Sequence, residues 1–255
     1  MDAKLSVVII TKNEAENIRR CLESVKWADE IVIVDDSSTD DTVRIARGYT
    51  GKIYEKKMEG FGEQKQFAVD KATGKWILVL DADEELSPSL QDEIKQIVET
   101  EAPFDAYRIW RKTFYLGKWI RHCGWYVPIL RLFKKGKGRF DLKYVHEEIL
   151  VSGQVGELKN PMNHYSYTDI AQHVRKLDKF TSYDAKELYR QGIRIGPGSM
   201  FWYFAVKPPL IFIRKFVFMR GSLDGFEGLV ISVFTALAVF INYAKVWELQ
   251  NQGKR

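Results

Sequence analysis

Cysteine is nearly absent: Cys21 and Cys123 are the two thiols in a chain of 255 residues. Two thiols far apart in sequence make neither a disulfide framework nor a cysteine-rich metal cluster, and nothing argues for an oxidising compartment. Glycine-rich phosphate loops are missing too. No G-x-G-x-x-G follows the first apolar run and no G-x-x-x-x-G-K-[ST] occurs anywhere, which excludes a dinucleotide-binding Rossmann domain and a P-loop. Charge of one sign is scarce. The net charge of +5 is spread along the chain without a nucleic-acid recognition motif, so no nucleic-acid partner is expected. A mild positive excess does fit a nucleotide diphosphate or an acidic membrane surface. Long apolar runs are lacking. Residues 5–10 are too few for the core of a signal peptide. Neither residues 200–218 nor residues 229–243 comfortably reach the ~20 residues of a bilayer span.

What is present is an alternation of apolar runs and helical patterns. Residues 5–10 and 31–34 read as strands, with a weaker one at 52–54. Ile18, Cys21, Leu22 and Val25 recur at helical spacing. Thr11 with Glu14, or Asn13 with Glu16, is placed to form a capping box. A short helix is expected over 42–47, and a longer one over 63–72 after a 60–62 loop, with Gly74 as its stop. Trp76-Ile77-Leu78-Val79-Leu80 then runs into Asp81-Ala82-Asp83-Glu84-Glu85. An unbroken apolar run of this kind reads as a buried strand of a parallel sheet. The order β-α-β-α-β-α-β predicts such a sheet covered by helices, with right-handed crossovers. Polar clusters at 11–14, 35–38 and 81–83 end three of its strands. In a parallel sheet all three fall on the carboxyl edge, where ligands collect.

Further along, Ser87-Pro88 opens a helix. Residues 106–115 and 125–133 read as strands, the second at an edge or with a break because of Pro128. Thr168 is placed to cap a helix reaching about residue 189, and Gly196-Pro197-Gly198 interrupts the chain. Residues 200–218 mix aromatics with Lys207, Arg214 and Lys215, a composition typical of helices lying at a membrane interface. A polar hinge at 221–228 separates them from the apolar run 229–243. The expected organisation is one α/β domain over residues 1–195, with halves 1–110 and 111–195, followed by a helical, membrane-associating segment over 196–255.

Asp81 and Asp83 stand two residues apart on an extended strand end. Adjacent carboxylates repel unless something cationic lies between them. A hard divalent ion already holding phosphate oxygens suits such a pair. The plainer alternative is a solvated strand end followed by an acidic helix start at Glu84-Glu85. His146-Glu147-Glu148 forms a second cluster. In an extended stretch Glu147 and Glu148 point to opposite faces, so only one of them can face a given ligand. His164 reads either as a hydrogen-bonded core histidine or as a ligand to metal or diphosphate.

With these residues laid out, the chain resembles the family 2 glycosyltransferases, which have the GT-A fold. The resemblance rests on Val7-Val8-Ile9-Ile10-Thr11-Lys12-Asn13-Glu14, on Ile33-Val34-Asp35-Asp36-Ser37-Ser38-Thr39-Asp40 and on Leu80-Asp81-Ala82-Asp83-Glu84, in that order. The His-Glu-Glu cluster, His164 and Asp224-Gly225-Phe226-Glu227-Gly228 look like the lipopolysaccharide-core β-1,4-glucosyltransferases. The resemblance implies a GT-A-type fold, a mostly parallel sheet flanked by helices, here with a C-terminal hydrophobic helical segment. It implies that Thr11, Lys12, Asn13, Glu14, Asp35 and Asp36 hold the nucleoside, with a carboxylate selecting uracil. Asp81, Ala82 and Asp83 match the family's D-x-D, holding ribose and a divalent ion, Mg²⁺ or Mn²⁺, for which His164 is a further ligand. Lys65 sits near a basic position of relatives. The base in many relatives is an Asp in a Glu-Asp pair; here the matching acids are Glu147 and Glu148.

The implied reaction is transfer of a hexose, glucose above all, from a UDP-sugar to a lipopolysaccharide-core or other lipid-linked saccharide. Its expected place is the cytoplasmic face of the cell membrane, with the enzyme peripherally attached. Inverting transfer needs a base for the acceptor hydroxyl, alignment of the sugar carbon and neutralisation of the departing diphosphate. It needs one base carboxylate, whereas a glycoside hydrolase needs two flanking carboxylates. A nucleotidyltransferase also uses paired aspartates, but it would carry a Gly-rich basic loop after the first strand, and residues 11–14 are not one. A non-catalytic saccharide-binding or membrane module of the same fold would not need the intact acidic clusters.

Overall fold

The computed structural model describes residues 3–100, 102–141, 143–144 and 147–252. His146, part of the second acidic cluster, lies outside them. The chain forms two compact units, Met1–Lys112 with Val127–Tyr165, and Thr113–Tyr126 with Ser166–Arg255.

The first unit opens with the alternation expected from the sequence: β1 (Leu5–Thr11), α1 (Ile18–Val25), β2 (Glu30–Asp35), α2 (Thr42–Ala46), β3 (Ile53–Glu55), α3 (Phe61–Lys71) and β4 (Trp76–Asp81). A short β5 (Glu84–Leu86), in place of an acidic helix start, leads into α4 (Pro88–Glu99). β1 pairs in parallel with β2 and β4, and β2 with β3. Side chains alternate across a strand. Val7, Ile9, Ile33, Leu78 and Leu80 therefore pack on one face with Ile18 and Leu22 of α1 and Leu90 of α4. Val8, Val32, Val34, Ile77 and Val79 pack on the other with Ala68 and Val69 of α3. Burying each of the larger aliphatic side chains stabilises the fold by about 1.5–3 kcal/mol. Covered on both faces, these strands show no polar alternation.

Beyond β4 the sheet becomes mixed. β6 (Ala106–Tyr115), β7 (Lys118–Trp119), β8 (Val127–Lys134), β9 (Gly138–Phe140), β10 (Ile149–Val151), β11 (Val155–Glu157) and β12 (Met162–Tyr167) follow. The strand order is β3-β2-β1-β4-β8-β6-β12-β5, and β9 and β10 form a separate ladder. β8 is antiparallel to both β4 and β6, so Pro128 is not on an edge strand. β4 pairs only with Leu132–Lys134 of β8. Pro128, opposite Trp110, thus stands where β8 has a single ladder, and its missing N–H interrupts no second one.

Two local expectations fail because long-range contacts outcompete local ones. No capping box forms: α1 begins behind Asn17 without a side-chain cap, and Thr11 is the last residue of β1. α3 ends at Lys71, ahead of Gly74. Gly74 is required by packing instead, since a Cβ there would lie 2.6 Å from the Ser6 nitrogen.

The second unit is helical, with α5 (Ile170–Arg190), α6 (Pro197–Phe201), α7 (Lys207–Ile213) and α8 (Gly225–Asn251). π-helical turns Trp202–Val206 and Arg214–Phe218 flank α7, and a 3₁₀ turn, Gly221–Asp224, precedes α8. Asp169, not Thr168, caps α5: its carboxylate accepts the Gln172 N–H at 2.7 Å. The hinge and the apolar run after it are not separate pieces. Gly225–Gly228 is the first turn of α8, which continues unbroken for 27 residues. Gly228 lets that turn approach the 3₁₀ turn, because a Cβ there would lie 1.9 Å from the Gly221 carbonyl oxygen. The merged stretch Gly221–Asn251 is long and apolar enough to cross a membrane, which corrects the shorter run read from the sequence. Within α5, His173 is stacked between Tyr167 and Phe234 at centroid distances of 4.2 and 4.1 Å, with Nδ1 3.0 Å from the Tyr115 hydroxyl. Burial pushes the His173 pKa down to about 4.

Candidate active site

The three polar clusters meet at the carboxyl ends of the parallel strands. Thr11 of β1 stands beside Asp35 of β2, and Ile10 beside Asp81 of β4. The turn after β1 is laced to the turn after β2. Asn13 N–H donates to Ser38 Oγ at 2.8 Å, Glu14 N–H to Thr42 Oγ1 at 2.8 Å and Ala15 N–H to the Asp40 carboxylate at 3.1 Å. Asn13 is held left-handed at φ 52°, its side-chain oxygen accepting the Thr39 N–H. Asp35 folds its own turn by accepting the N–H and hydroxyl of Ser38. Asp36 accepts the Met58 N–H and the Lys12 ammonium, both at 2.9 Å. The Thr11 hydroxyl oxygen is buried without a hydrogen-bond partner. A buried polar atom left so is unusual and calls for a ligand or a water.

The end of β4 carries a cluster of paired charges. One Asp81 oxygen is 2.8 Å from the Lys65 ammonium, and the other is 2.6 Å from Arg131. Arg131 also meets Glu84 at 2.6 Å, and the second Glu84 oxygen accepts the Asp81 N–H at 2.9 Å. Lys65 reaches onward to Glu147 at 2.7 Å. Burial alone would raise the Asp81 carboxyl, but the charges of Arg131 and Lys65 hold it well below the usual range. Burial would likewise lower the Lys65 ammonium, which Asp81 and Glu147 keep above its ordinary value. Lys65 and Arg131 thus serve three carboxylates, with Arg111 a further 3.9 Å from Glu84.

Asp83 and His164 stand beside this cluster, with Asp83 Oδ2 3.6 Å from His164 Nε2. β12 holds His164 opposite Glu84 of β5, and the Tyr165 N–H donates to the Asp83 carbonyl. Among the described residues no three His, Cys, Asp or Glu side chains converge as a complete metal site. A carboxylate and an imidazole fit a divalent cation that takes its other ligands from a diphosphate. Ala82 packs into the core. Glu148 is exposed, its N–H donating to Asp141 at 3.0 Å, while Glu147 faces Lys65. An open hollow of about 630 Å³ lies at the opposite strand ends, lined by Lys26, Glu30, Lys52 and Lys75. Its buried carboxylate, Glu30, is already taken by Ser6, Lys52 and Thr73.

Arg131 and Glu84 escape a reading that seeks acidic strand ends. The signal was there: a lone arginine inside Ile129-Leu130-Arg131-Leu132-Phe133 is a charge destined for burial and so needs a partner.

Comparison with known proteins places the chain in a family. The family model for glycosyl transferase family 2 matches residues 6–150. An uncharacterized glycosyltransferase of Rickettsia typhi, RT0209, is 36% identical over 270 residues, covering 98% of this chain and 89% of the relative. The lipopolysaccharide core biosynthesis glycosyltransferase LpsC of Rhizobium meliloti is 29% identical over 261 residues, covering 96% and 92%. Among solved structures, the mannosyltransferase PcManGT from Pyrobaculum calidifontis, in complex with GDP-Man and Mn²⁺, is similar with a TM-score of 0.51. It is 15% identical, over 96% of this chain and 87% of that one. The fold is of the GT-A type, and the chain belongs to glycosyl transferase family 2.

Proposed function

We propose that this glycosyltransferase moves a hexose, glucose above all, from a UDP-sugar to a lipopolysaccharide-core or other lipid-linked saccharide, with inversion. The observation that carries the reading is the single cation Lys65, which touches both Asp81 of the D-x-D and Glu147. One cation in contact with both argues that a donor-binding carboxylate and a base carboxylate serve one reaction centre. The name of the Rhizobium relative supports the acceptor class.

In this reading the edge formed by residues 11–14 and by Asp35 and Asp36 holds the nucleoside, and the Thr11 hydroxyl gains its partner there. Asp36 accepts the imide N–H of uracil. Asp83 and His164, with Asp81 beside them, would hold a divalent ion. Such an ion neutralises charge on the diphosphate. Glu147 takes the proton of the acceptor hydroxyl as that oxygen attacks the sugar carbon and the bond to the diphosphate breaks. A protonated Glu147 no longer holds Lys65, so the ammonium is released toward the negative charge forming on the leaving diphosphate. Glu148 faces away and is not the base. Residues 1–110 serve the donor and 111–195 the acceptor, and residues 196–255 associate with the inner face of the cell membrane.

The test is release of the nucleoside diphosphate, UDP from UDP-glucose, UDP-galactose and UDP-GlcNAc and GDP from GDP-mannose, with Mg²⁺ or Mn²⁺ and a lipid-linked saccharide, and NMR of the product anomer. The expected result is preference for UDP-glucose and an inverted linkage. Preference for a guanine donor, or a retained linkage, would overturn the reading.

A further inference from the structure

By composition α8 looks like a bilayer span: residues 228–244 carry no charged side chain. Its neighbours within the helical unit argue otherwise. Along one side, Phe234 stacks on His173 and Asn242 donates to Asp184 at 3.0 Å. Lys245 reaches the Asp178 carboxylate at 2.8 Å, and Val246 packs with Ala185. These contacts bind α8 to α5, whose 21 residues carry eight charged side chains. A spanning α8 would drag them into hydrocarbon, where each Arg, Lys or Asp costs about 2.5–3.5 kcal/mol.

The opposite side of α8 is apolar and uncovered. Phe226, Leu229, Val233, Leu237, Phe240 and Trp247 are 37–67% exposed. At about 100° per residue they centre roughly 180° around the helix from the residues that face α5, in a stripe about 32 Å long. The preceding run packs beside α8 through Phe204 against Phe240, and it exposes Leu210, Ile213 and Val217 at helical spacing. Residues 200–220 hold no carboxylate. Lys207 is turned to the Tyr243 hydroxyl and Lys215 to the Cys123 carbonyl, which leaves Arg214 and Arg220 exposed. A second copy of the chain, meeting this face across a two-fold axis, would set these cations against themselves. An anionic lipid surface complements them.

We propose that α8 and the run before it form a monotopic seat. The stripe lies flat in one anionic leaflet, about 5–10 Å deep, and does not cross the bilayer. This deepens the membrane reading given above and rests on it.

The test uses the full chain with vesicles of phosphatidylcholine alone or mixed with phosphatidylglycerol. Nitroxide labels are placed at Phe226→Cys, Leu237→Cys and Trp247→Cys; the native thiols are buried and do not compete. The expected result is binding to the anionic vesicles with all three labels at one shallow depth. Leu237→Cys at the bilayer centre, with the other two labels toward opposite surfaces, would overturn the seat in favour of a span. Val233→Glu with Leu237→Glu should weaken vesicle binding at least about tenfold, with far-UV circular dichroism unchanged. A dimer that this double variant dissociates, with no vesicle binding by the parent, would instead assign the face to a second copy. UDP release from UDP-glucose with a detergent-dispersed lipid-linked saccharide, without vesicles, separates the two readings. Its absence beside intact vesicle binding would overturn the reaction and leave the seat standing.

Discussion

In the sheet unit Lys65 and Arg131 are 4% and 5% exposed, whereas in the helical unit Phe218 and Phe226 are 78% and 67% exposed. Residue type alone would have placed all four the other way round. What differs is the partner. Each buried cation meets two carboxylates, so its desolvation is offset by attraction at 2.6–2.8 Å. The exposed aromatics are left mostly open by their own chain, and water is held off only if another surface arrives. Burial in this protein follows pairing in one region and awaits it in the other.

The comparison breaks most sharply at Glu147. Glu147→Gln removes the charge and keeps the shape, and transfer should fall by about 10²–10⁴-fold. UDP affinity by calorimetry should stay near that of the parent. Equal losses in Glu147→Gln and Glu148→Gln would show that the cluster supports structure and not proton transfer.

Arg131→Met tests whether pairing is what permits burial. Fully buried Glu84 would lose its close cation, and Asp81 would keep Lys65 alone, a loss of about 3–5 kcal/mol. Urea unfolding should show it, and adding Asp81→Asn and Glu84→Gln should recover much of it. No recovery would mean that the arginine stem, and not its charge, holds the site.

His173 offers the converse case, a titratable group buried without charge. Its folded pKa is about 4 against 6.5 unperturbed, so the unfolded chain binds more protons between those values. Stability is full above about pH 6.5 and is lost as pH falls toward 4, by roughly 3 kcal/mol in all. His173→Phe should flatten that part of the stability–pH curve, and an unchanged slope would point to another group.

The smallest effect is expected at the start of α5. Asp169→Ala should cost about 1 kcal/mol through the lost cap, and Thr168→Ala much less. Thermal unfolding of the two variants ranks them, and the reverse order would restore Thr168 as the cap.

Much of the sheet unit was legible because β-branched runs and acidic strand ends are written locally. Trp76 to Asp81 announces both a buried strand and a site. The failures share one cause. Gly74 looks like a helix stop until Ser6 is known to lie against it, and Asn13 looks like a cap until Thr39 takes its oxygen. Arg131 passes unnoticed inside its strand until β4 and β8 are paired. Contacts between residues far apart in sequence leave no trace in either residue alone. The hinge read at residues 221–228 failed for a different reason. Asp224 and Glu227 suggested a hinge, but Asp224 turns inward to accept the Arg121 and His122 N–H groups and leaves α8 to begin beside it.

The pairing of β1 with β4 has a consequence in time. The two strands start 71 residues apart, Leu5 against Trp76. A ribosome adding roughly 5–20 residues per second takes on the order of 4–14 s to cover that distance. For that interval β1 shows one unpaired edge, and β2 alone occupies the other. A chaperone that holds extended apolar segments therefore has a long opportunity at the first strand made, well before α8 emerges to meet α5.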